Sequence, residues 1–428
     1  MTSLASLAAA LPGYVASNLP VDIARELILN AIRDAASGEQ RNHEHVALKD
    51  ALDRVLTHDL LSPINVPACD NAAMDGYAVR FADLLPGQAT MLREAGVALA
   101  GRPFPGAPAP GECVRIMTGA SMPAGTDTVV VKEVVQSNAG SIVIPAGQLA
   151  GANRRRAGGD LARGKLALAA GTRIGAADWG LIASLGLARV DVRPRLRVAI
   201  FSTGDELHDP GQGASAGAHF DSNRYTLQGL LTHLGCMTSD LGIVPDRAQA
   251  IESILREAAA GHDVIIASGG ISEGDADLTA PIMQRLGEVL HWKLAMRPGR
   301  PFAFGRIASG DHPAWLFGLP GNPVAAMIGF IQFARPAILA LGGQSDHALP
   351  RIHARLTASM RKKPGRTEFA RGRLSFTDAG PVVAPDADQG SSVLRSMASA
   401  NCLIVLEHAR GDVSTGEVVT VQALAGLV

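Results

Sequence analysis

The stretch VIIASGGISEGDAD, residues 264 to 277, decides the fold of this chain. An apolar run leads into a Gly-Gly pair, and the acids Glu273, Asp275 and Asp277 follow within five residues. A short apolar run bounded by glycines is typical of a strand buried on both faces, as in a parallel sheet. Open α/β sheets bind their ligands beyond the carboxyl ends of such strands. The stretch therefore predicts both a central strand and a site.

The pattern on either side of this strand alternates between strand and helix. Residues 196 to 343 contain the strand-like runs LRVAIF, DLGIV and DVIIAS and the helix-like runs NRYTLQGLLTHLG and DRAQAIESILREAAA. Both helical runs carry apolar residues at i, i+3, i+4 and i+7, which is the spacing of one buried helix face. The alternation predicts a doubly wound parallel sheet.

The flanking segments differ from this pattern, so that the fold class is multidomain α/β plus β. Helical spacing runs through residues 21 to 58, in VDIARELILNAI and HVALKDALDRVLTHDL. Pro, Gly and short β-type runs then dominate up to about Gly159, and short alternating runs return after Gly343. We expect four domains, namely a helical and extended N-terminal domain (21–61 and 161–194), a β-rich inserted domain (62–160), the α/β domain (195–343) and a C-terminal small β-barrel (344–428).

The composition narrows the class of protein. The 39 Lys and Arg against 40 Asp and Glu give a net charge of −1, which lacks the positive excess of a nucleic-acid-binding protein. The four cysteines form no CxxC pair, which indicates core residues in a reducing cytoplasm. The N-terminus has no basic signal-peptide region, and Gln332, Arg335 and Pro336 interrupt the apolar run of residues 324 to 343. We expect a cytoplasmic protein with a buried helix there and no membrane span.

Two glycine-containing turns and one strand end are candidate anion-binding elements. Glycine lets backbone N–H groups approach an anion closely, and a helix N-terminus adds positive potential. In PGNP, Asn322 is a suitable N-cap and Pro323 suits the first helical position. Any one such turn is more often an ordinary tight turn, but several at one sheet edge indicate a site for a ligand with more than one phosphate. The candidate residues are Ser202, Thr203, Gly204, Ser268, Gly269, Gly270, Pro320, Gly321 and Asn322.

Charged residues of both signs surround these turns. Lys293, Arg297 and Arg300 lie around the proline-flanked turn RPGRP and can attract phosphate or an oxyanion such as molybdate. Carboxylates at an anion-binding edge repel the ligand unless a divalent cation lies between them, and Mg²⁺ binds in this way. Glu206, Asp275 and Asp277 are the candidates, and the alternative that Asp277 only caps a helix from Leu278 stays open. The chain has no Walker A sequence, which argues against a P-loop kinase.

Five motifs together resemble one family of enzymes. DNAAMDGYAVR (70–80), RIMTGASMPAGTD (115–127), STGDEL (202–207), SGGISEGDAD (268–277) and LPGNPVA (319–325) are similar to the molybdopterin molybdenumtransferases of the MoeA type, which are related to the E domain of gephyrin. The resemblance runs in order from about residue 22 to the C-terminus. The first twenty or so residues lie outside it.

The resemblance implies an activity, a set of residues and partners. It implies that molybdate is inserted into adenylylated molybdopterin with the help of Mg²⁺, which releases AMP and forms Mo-molybdopterin. It also implies that the N-terminal domain serves linking and dimerisation, and that the α/β domain binds molybdopterin. A homodimer then places the inserted domain of one copy over the α/β site of the other. Transient contacts with molybdopterin adenylyltransferase and with proteins that mature molybdoenzymes are expected. Carried over by motif, the functional positions are Asp75, Thr118, Asp160, Glu206, Asp246, Asp277, Lys293 and Arg297, with Asp75, Glu206 and Asp277 as metal ligands and Asp275 beside the ligand.

Some residues depart from the family pattern or keep two interpretations. Arginine replaces the family's usual lysine at Arg297 and Arg300, which puts the selection of molybdate in doubt. Glu273 adds a negative charge near the ligand or faces solvent. Residues 154–156, three consecutive arginines, either steer a polyanion or form an exposed cluster. An adenylyltransferase or a scaffold protein with the same fold remains the alternative function, although the first would not need MDGYA.

Overall fold

The structure is a computed structural model that describes residues 2–36, 43–138, 140–213, 217–270, 279–310, 313–424 and 426–427. It forms two compact units. One comprises His45–Leu52 and Leu56–Asp191, and the other comprises Met1–Glu44, Asp53–Val55 and Val192–Val428. The finer domain boundaries given above stay a prediction.

The unit built from residues 45–52 and 56–191 is rich in β-structure, as expected. Its six-stranded sheet has the order Thr128–Val131, Gly76–Val79, Glu112–Ile116, Thr90–Ala98, Ser141–Ile144 and Gln136–Asn138. Neighbouring residues of one strand serve opposite faces, because Ala78 packs in one apolar cluster and Tyr77 and Val79 pack in another. Short pairs (Asn71–Ala72 with Arg154–Arg155, Leu60–Leu61 with Leu166–Leu168) and the helix Ala176–Ser184 complete it.

One predicted helix is wrong. The segment HVALKDALDRVLTHDL forms the strand Glu44–Ala47, which pairs with Arg189–Val192, and then the short 3₁₀ helix Leu48–Asp50. Asp53 adopts the left-handed conformation, with φ of 62°, which ends any helical path. Pairing with a strand more than 140 residues away in the chain thus overrides the local apolar spacing.

The second unit contains the predicted α/β sheet. Four parallel strands form its centre, and two further strands extend one edge through antiparallel pairings, which refines the all-parallel expectation. The order is Met237–Val244, Arg197–Thr203, Val264–Ser268, Ala314–Leu319, Pro301–Ile307 and Gly287–Lys293. The helices are Asn223–His233, Ala248–Gly261, Thr279–Leu286 and Pro323–Leu341, the last with a π-helical segment Phe330–Ala334.

Both faces of this sheet are covered, which makes it doubly wound as predicted. All five residues of Val264–Ser268 are buried. Val198 and Ile200 belong to the apolar core that also contains the helix Asn223–His233, and the alternate residues Ala199 and Phe201 belong to the core on the opposite face.

The helix Pro323–Leu341 is long and apolar enough to cross a membrane by length and composition alone. Inside the protein, 89% of its most apolar window is buried. Its position in the core agrees with the expected buried helix.

The C-terminal part is a closed five-stranded barrel, as predicted. Its strands are Arg351–Leu356, Thr367–Thr377, Gly380–Pro385, Cys402–Leu406 and Val418–Ala423, and each pairs with two neighbours. The short strand Met296–Arg297 adds parallel to Thr367–Thr377 and so ties the RPGRP turn to the barrel.

The first twenty residues, which the sequence left without interpretation, and the predicted helix that follows them pack on the α/β sheet. The helices Leu4–Ala9 and Val21–Ala36 contribute buried residues to the larger core, including Leu4 and Leu27, both at 0% exposure. Leu19 bridges to Leu294, and its N–H donates to the Lys293 carbonyl at 2.9 Å. The segment thereby covers the edge strand of the sheet.

The cysteines fit the expected core role only in part. Cys113 and Cys402 are buried, and burial raises the pKa of their thiols to about 12 and about 11 respectively. Cys236 is half-buried, and Cys69 is exposed beside Ser121, so Cys69 is not a core residue.

Candidate active site

The cleft at the carboxyl edge of the α/β sheet is the candidate active site. The parallel strands end at Thr203, Ser268 and Leu319, and the loops after them line one cleft with a volume of about 1060 Å³. That volume is at the upper end of the range for small-molecule sites. The edge also carries the start of two helices, at Asn223 and Pro323.

The Gly-Gly turn has a backbone that only glycine adopts readily. Gly269 and Gly270 have φ of 87° and 62°. A Cβ atom on Gly269 would lie 2.5 Å from the carbonyl oxygen of Thr203, and one on Gly321 would lie 3.9 Å from the Gly269 Cα. The two glycine turns are therefore in close contact, and the first cannot accommodate a side chain.

Asn223 joins the two turns. Its amide nitrogen donates to the Ser268 hydroxyl at 2.7 Å and to the Gly321 carbonyl at 2.8 Å, and the residue is 8% exposed. Asp221 holds the start of this helix, since its Oδ1 accepts from the N–H groups of Asn223 and Arg224. The Asn223 amide, together with the hydrogen bond from the Gly269 N–H to the Leu319 carbonyl at 3.0 Å, thus fixes the relative position of the two turns.

The helix that starts at Pro323 faces the cleft with its N-terminus. Pro323 takes the first helical position, as predicted, but the side chain of Asn322 makes no capping hydrogen bond. The N–H of Val324 donates instead to the Ser391 carbonyl at 3.1 Å. Residues 389–392 of the barrel therefore close one side of the cleft.

Arginines of the RPGRP turn line the cleft. Arg297 is exposed, and its guanidinium lies 4.0 Å from Glu368. Arg300 is half-buried, and its Nε has no hydrogen-bond partner among the residues that the structure describes. Lys293 lies at the end of the strand Gly287–Lys293 and is not part of the described cleft lining. The lining also contains Arg366, which the sequence motifs do not indicate.

The cleft lining also contains acidic side chains. Glu206 and Asp246 line the cleft, and the N–H of Asp246 donates to Asp205 at 3.2 Å. Partial loss of solvent and the negative charges of Asp205 and Glu206 raise the pKa of Asp246 above its usual range. A Cβ atom on Gly204 would lie 2.8 Å from both carboxylate oxygens of Glu206. Gly204 therefore leaves the space in which the Glu206 carboxylate lies.

The two strand-end hydroxyls behave differently. Thr203 lines the cleft, whereas Ser202 is 1% exposed and lies behind the lining. Neither hydroxyl oxygen has a hydrogen-bond partner among the described residues. Glu273, Asp275 and Asp277 lie outside the described residues, so their predicted roles stay predictions.

Asp75 lies in the β-rich unit within a group of donors. Its Oδ1 accepts from the backbone N–H and the hydroxyl of Thr118, at 2.9 and 2.8 Å, and its Oδ2 lies 3.2 Å from the Lys132 ammonium. These hydrogen bonds lower the pKa of Asp75 to about 2. Asp75 is thus held as a carboxylate, and Thr118, predicted by motif, is its partner.

The remaining predicted residues of this unit have plainer surroundings. Asp160 is exposed, and its backbone N–H donates to the Val66 carbonyl. Of the three consecutive arginines, Arg154 pairs with Asp70 at 2.8 Å, while Arg155 and Arg156 are exposed.

Several site residues were missed from the sequence. Asn223 and Lys132 contact predicted residues only in three dimensions, and residues 389–392 come from a different domain. A usable signal existed for Asn223 alone, because Asp-Ser-Asn (221–223) precedes a helical pattern and is typical of a helix start.

The fold and this cleft define a multidomain α/β protein with a ligand-binding cleft at the carboxyl edge of its sheet. Comparison with known families then identifies the family to which it belongs. Three models match in order: the MoeA N-terminal region (domain I and II) over residues 19–186, a probable molybdopterin binding domain over 199–340 and the MoeA C-terminal region (domain IV) over 353–424. The chain belongs to the MoeA family of molybdopterin molybdenumtransferases.

Individual relatives agree with this assignment. A molybdopterin molybdenumtransferase of Haemophilus influenzae is 40% identical over 89% of this chain and 93% of its own length. Gephyrin of Dictyostelium discoideum is 31% identical over 94% of this chain and 61% of its own length. The crystal structure of a molybdopterin biosynthesis MoeA protein from Pyrococcus horikosii has a TM-score of 0.76 at 28% identity, and covers 95% of this chain and 99% of that chain. The family predicted from five motifs is confirmed over the adenylyltransferase alternative.

Proposed function

We propose that this protein inserts molybdate into adenylylated molybdopterin, releasing AMP and forming Mo-molybdopterin. The observation that carries the proposal is the pair of glycine turns, joined by Asn223, in one cleft beside Arg297 and Arg300. The substrate has a phosphate on the pterin side and another in the adenylate. Two backbone anion sites with cationic side chains suit such a ligand.

We infer that Mg²⁺ assists at the acidic side of the cleft. Mg²⁺ commonly takes one or two carboxylates together with phosphate oxygens and waters. Glu206 and Asp246 supply such carboxylates, and their mutual repulsion is what a cation would relieve. Within the described part of the chain, no group of three or more His, Cys, Asp or Glu forms a metal site. The donor set therefore fits a metal that is held partly by the phosphate of the ligand.

We further propose that Asp75 acts on the same substrate from a second copy of the chain. Its low pKa keeps it ionised at neutral pH, so it can complete the shell of the metal or orient a water molecule on the phosphate. Thr118 and Lys132 fix its direction. Contacts with molybdopterin adenylyltransferase and with molybdoenzyme-maturation proteins, and a cytoplasmic location, belong to the same proposal.

The direct test is AMP release by purified protein, with and without molybdate and Mg²⁺. Asp75→Ala and Glu206→Ala are expected to fold but to lower the rate by on the order of 100-fold or more. The matched controls are Glu133→Ala in the β-rich unit and Glu257→Ala on a helix of the other unit, because both acids are exposed. Wild-type turnover by either site variant, or turnover independent of molybdate, contradicts the proposal.

Mixing the two inactive variants tests the shared site. If Asp75 and Glu206 of different copies act together, a mixed dimer of Asp75→Ala and Glu206→Ala contains one intact pair and regains activity. If both groups come from one chain, every site in the mixture lacks one of them, and no activity returns. The second result rejects the proposal that two copies share the site, but it does not contradict the proposed molybdenumtransferase activity.

A further inference from the structure

A buried arginine next to the cleft lining binds three aspartates from three different parts of the chain. Arg224 is 4% exposed and is the second residue of the helix Asn223–His233. Its Nε donates to Asp221 at 2.7 Å, one terminal nitrogen donates to both oxygens of Asp240 at 2.7 and 2.8 Å, and the other terminal nitrogen pairs with Asp209. Each nitrogen of the guanidinium thus has its own carboxylate.

The three carboxylates hold this arginine in its charged form and in one orientation. Burial alone disfavours the charged guanidinium, but the hydrogen bonds and charges of Asp240 and Asp221 raise the pKa of Arg224 above its ordinary value. The planar fork of arginine offers three nitrogens in fixed directions, which the single ammonium of a lysine does not. Arg224 is therefore a rigid connection between the three parts of the chain that its partners belong to.

The contact with Asp221 connects Arg224 to the two glycine turns. Asp221 is buried, and its Oδ1 accepts from the N–H of Asn223 at 3.0 Å while its Oδ2 accepts from the guanidinium. The Asn223 amide in turn donates to the Ser268 hydroxyl and to the Gly321 carbonyl. The guanidinium thus fixes the carboxylate that holds the helix start, from which Asn223 contacts both turns.

The contact with Asp209 connects Arg224 to the segment that carries Glu206. Asp209 directly follows the strand Leu207–His208, which begins next to Glu206 and pairs in parallel with the strand that starts at His219. The N–H of His219 donates to the Glu206 carbonyl at 2.9 Å. The segment is therefore held at one end by this backbone hydrogen bond and at the other end by the ion pair of Asp209 with Arg224.

The contact with Asp240 connects Arg224 to the sheet and not to the cleft. Asp240 lies on the strand Met237–Val244 and is not part of the described cleft lining. Its Oδ1 also accepts from the N–H of Gly242 at 2.9 Å. This contact therefore provides a reference against which the other two are compared.

We infer that Arg224 is a positioning residue that holds the phosphate-binding and the metal-binding parts of the cleft in a fixed relation. Through Asp221 it fixes the turns that bind phosphate, and through Asp209 it fixes the segment whose Glu206 serves the metal. The inference rests on the proposed function for the identity of the ligand and of the metal. Loss of either contact should change a different property of the site, whereas a purely structural cluster would change only the stability of the protein.

The test measures AMP binding to the full-length protein by calorimetry, without metal and at a series of Mg²⁺ concentrations. Asp209→Ala removes one partner of Arg224 at a side chain that is 42% exposed. It should raise the Mg²⁺ concentration that half-saturates the AMP complex on the order of tenfold, and the Mg²⁺ concentration for half-maximal AMP release by the same factor. The affinity of this variant for AMP without metal should equal that of the wild type.

Asp221→Asn should give the complementary result. Asparagine is as good an N-cap as aspartate and keeps an oxygen for the N–H of Asn223, but it loses the charge that pairs with Arg224. The affinity for AMP without metal should fall on the order of tenfold. The matched control is Asp240→Ala, which removes a carboxylate from the same guanidinium. It should lower the Tm and leave both the AMP affinity and its Mg²⁺ dependence unchanged.

The comparison of Asp209→Ala with Asp240→Ala decides even where Asp221→Asn is too unstable to purify, because both side chains are partly exposed, at 42% and 31%. Equal Mg²⁺ dependence in these two variants overturns the inference, and so does an absence of AMP binding by the wild type. If the binding results are as expected but the wild type releases no AMP with molybdate, the proposed function fails and the inference stands.

Discussion

Asn223→Ala tests whether the two glycine turns act as one site. The change removes hydrogen bonds of 2.7 Å to Ser268 and 2.8 Å to the Gly321 carbonyl, at a position that is 8% exposed. Each buried hydrogen bond stabilises the protein by about 1 kcal/mol net, so the free energy of unfolding should fall by about 2 kcal/mol. The ligand must then order the two turns itself on binding. If ordering the turns takes about 2 kcal/mol from the binding free energy of the ligand, kcat/KM falls on the order of 30-fold.

The control is Asn401→Ala in the barrel. Asn401 also makes two hydrogen bonds, to the N–H and the carbonyl of Leu374, at 2.7 and 2.9 Å, and it does not belong to the described cleft lining. AMP release gives kcat/KM, and denaturant unfolding gives the stability of both variants. The reasoning fails if Asn223→Ala retains wild-type kcat/KM, or if Asn401→Ala loses as much activity.

Three further perturbations follow from the structure. Thr118→Val removes the hydroxyl bonded to Asp75, so the pKa of Asp75 rises from about 2 toward its usual value of about 3.9, which a titration by NMR measures. The contribution of this carboxylate to stability is present above the usual value and is lost as the pH falls through the native pKa, so the variant should lose it at higher pH than the wild type. Gly204→Ala places a Cβ atom 2.8 Å from the Glu206 carboxylate, at φ of 151°, and should displace it and reduce AMP release. Leu4→Ala creates a cavity under the N-terminal helix and should cost about 3 kcal/mol in denaturant unfolding.

Controls separate these effects from trivial ones. Gly211 also has positive φ but open space around its Cα, so Gly211→Ala strains the backbone without moving Glu206 and should keep AMP release. Leu149 is 75% exposed, and Leu149→Ala should change stability by at most about 0.5 kcal/mol. An unshifted Asp75 titration in Thr118→Val, or equal costs for the two leucine variants, contradicts the respective argument.

The α/β sheet was predictable because its physical causes are local. A strand buried on both faces is apolar along its length, and Val264–Ser268 is so up to its last residue, the polar Ser268 at the edge of the cleft. The antiparallel edge was not predictable, because Pro301–Ile307 and Gly287–Lys293 have runs like those of the parallel strands. The direction of a strand in the sheet depends on how it is connected to its neighbours. The spacing of apolar residues gives no information on these connections. The segment after Glu44 shows the same limit, since its partner strand lies far along the chain.

The site divides in the same way. Glycine turns at strand ends are visible in sequence, because positive φ restricts the residue type. The residues that hold those turns in place are not identified by it: the helix start at Asn223 is recognisable, but its contacts with the turns are not. Asn223 contacts Ser268 and Gly321, which lie 45 and 98 positions further along the chain. Lys132 lies 57 positions from Asp75. Any polar residue at a helix start could make such contacts, so the sequence alone does not indicate which one does.

The distribution of charge in the cleft argues for a transferase that uses a metal rather than for a simple binding module. A protein that only retained a phosphorylated ligand would gain from cationic groups alone, such as Arg297 and Arg300. Glu206 and Asp246 oppose that purpose, and partial burial, with the negative charges of Asp205 and Glu206, raises the pKa of Asp246. Repulsion between acids is tolerated in a site where a cation binds between them and the ligand during the reaction. Removing one of the repelling acids, by Asp246→Asn, should therefore leave the protein at least as stable while raising the Mg²⁺ concentration needed for half-maximal AMP release.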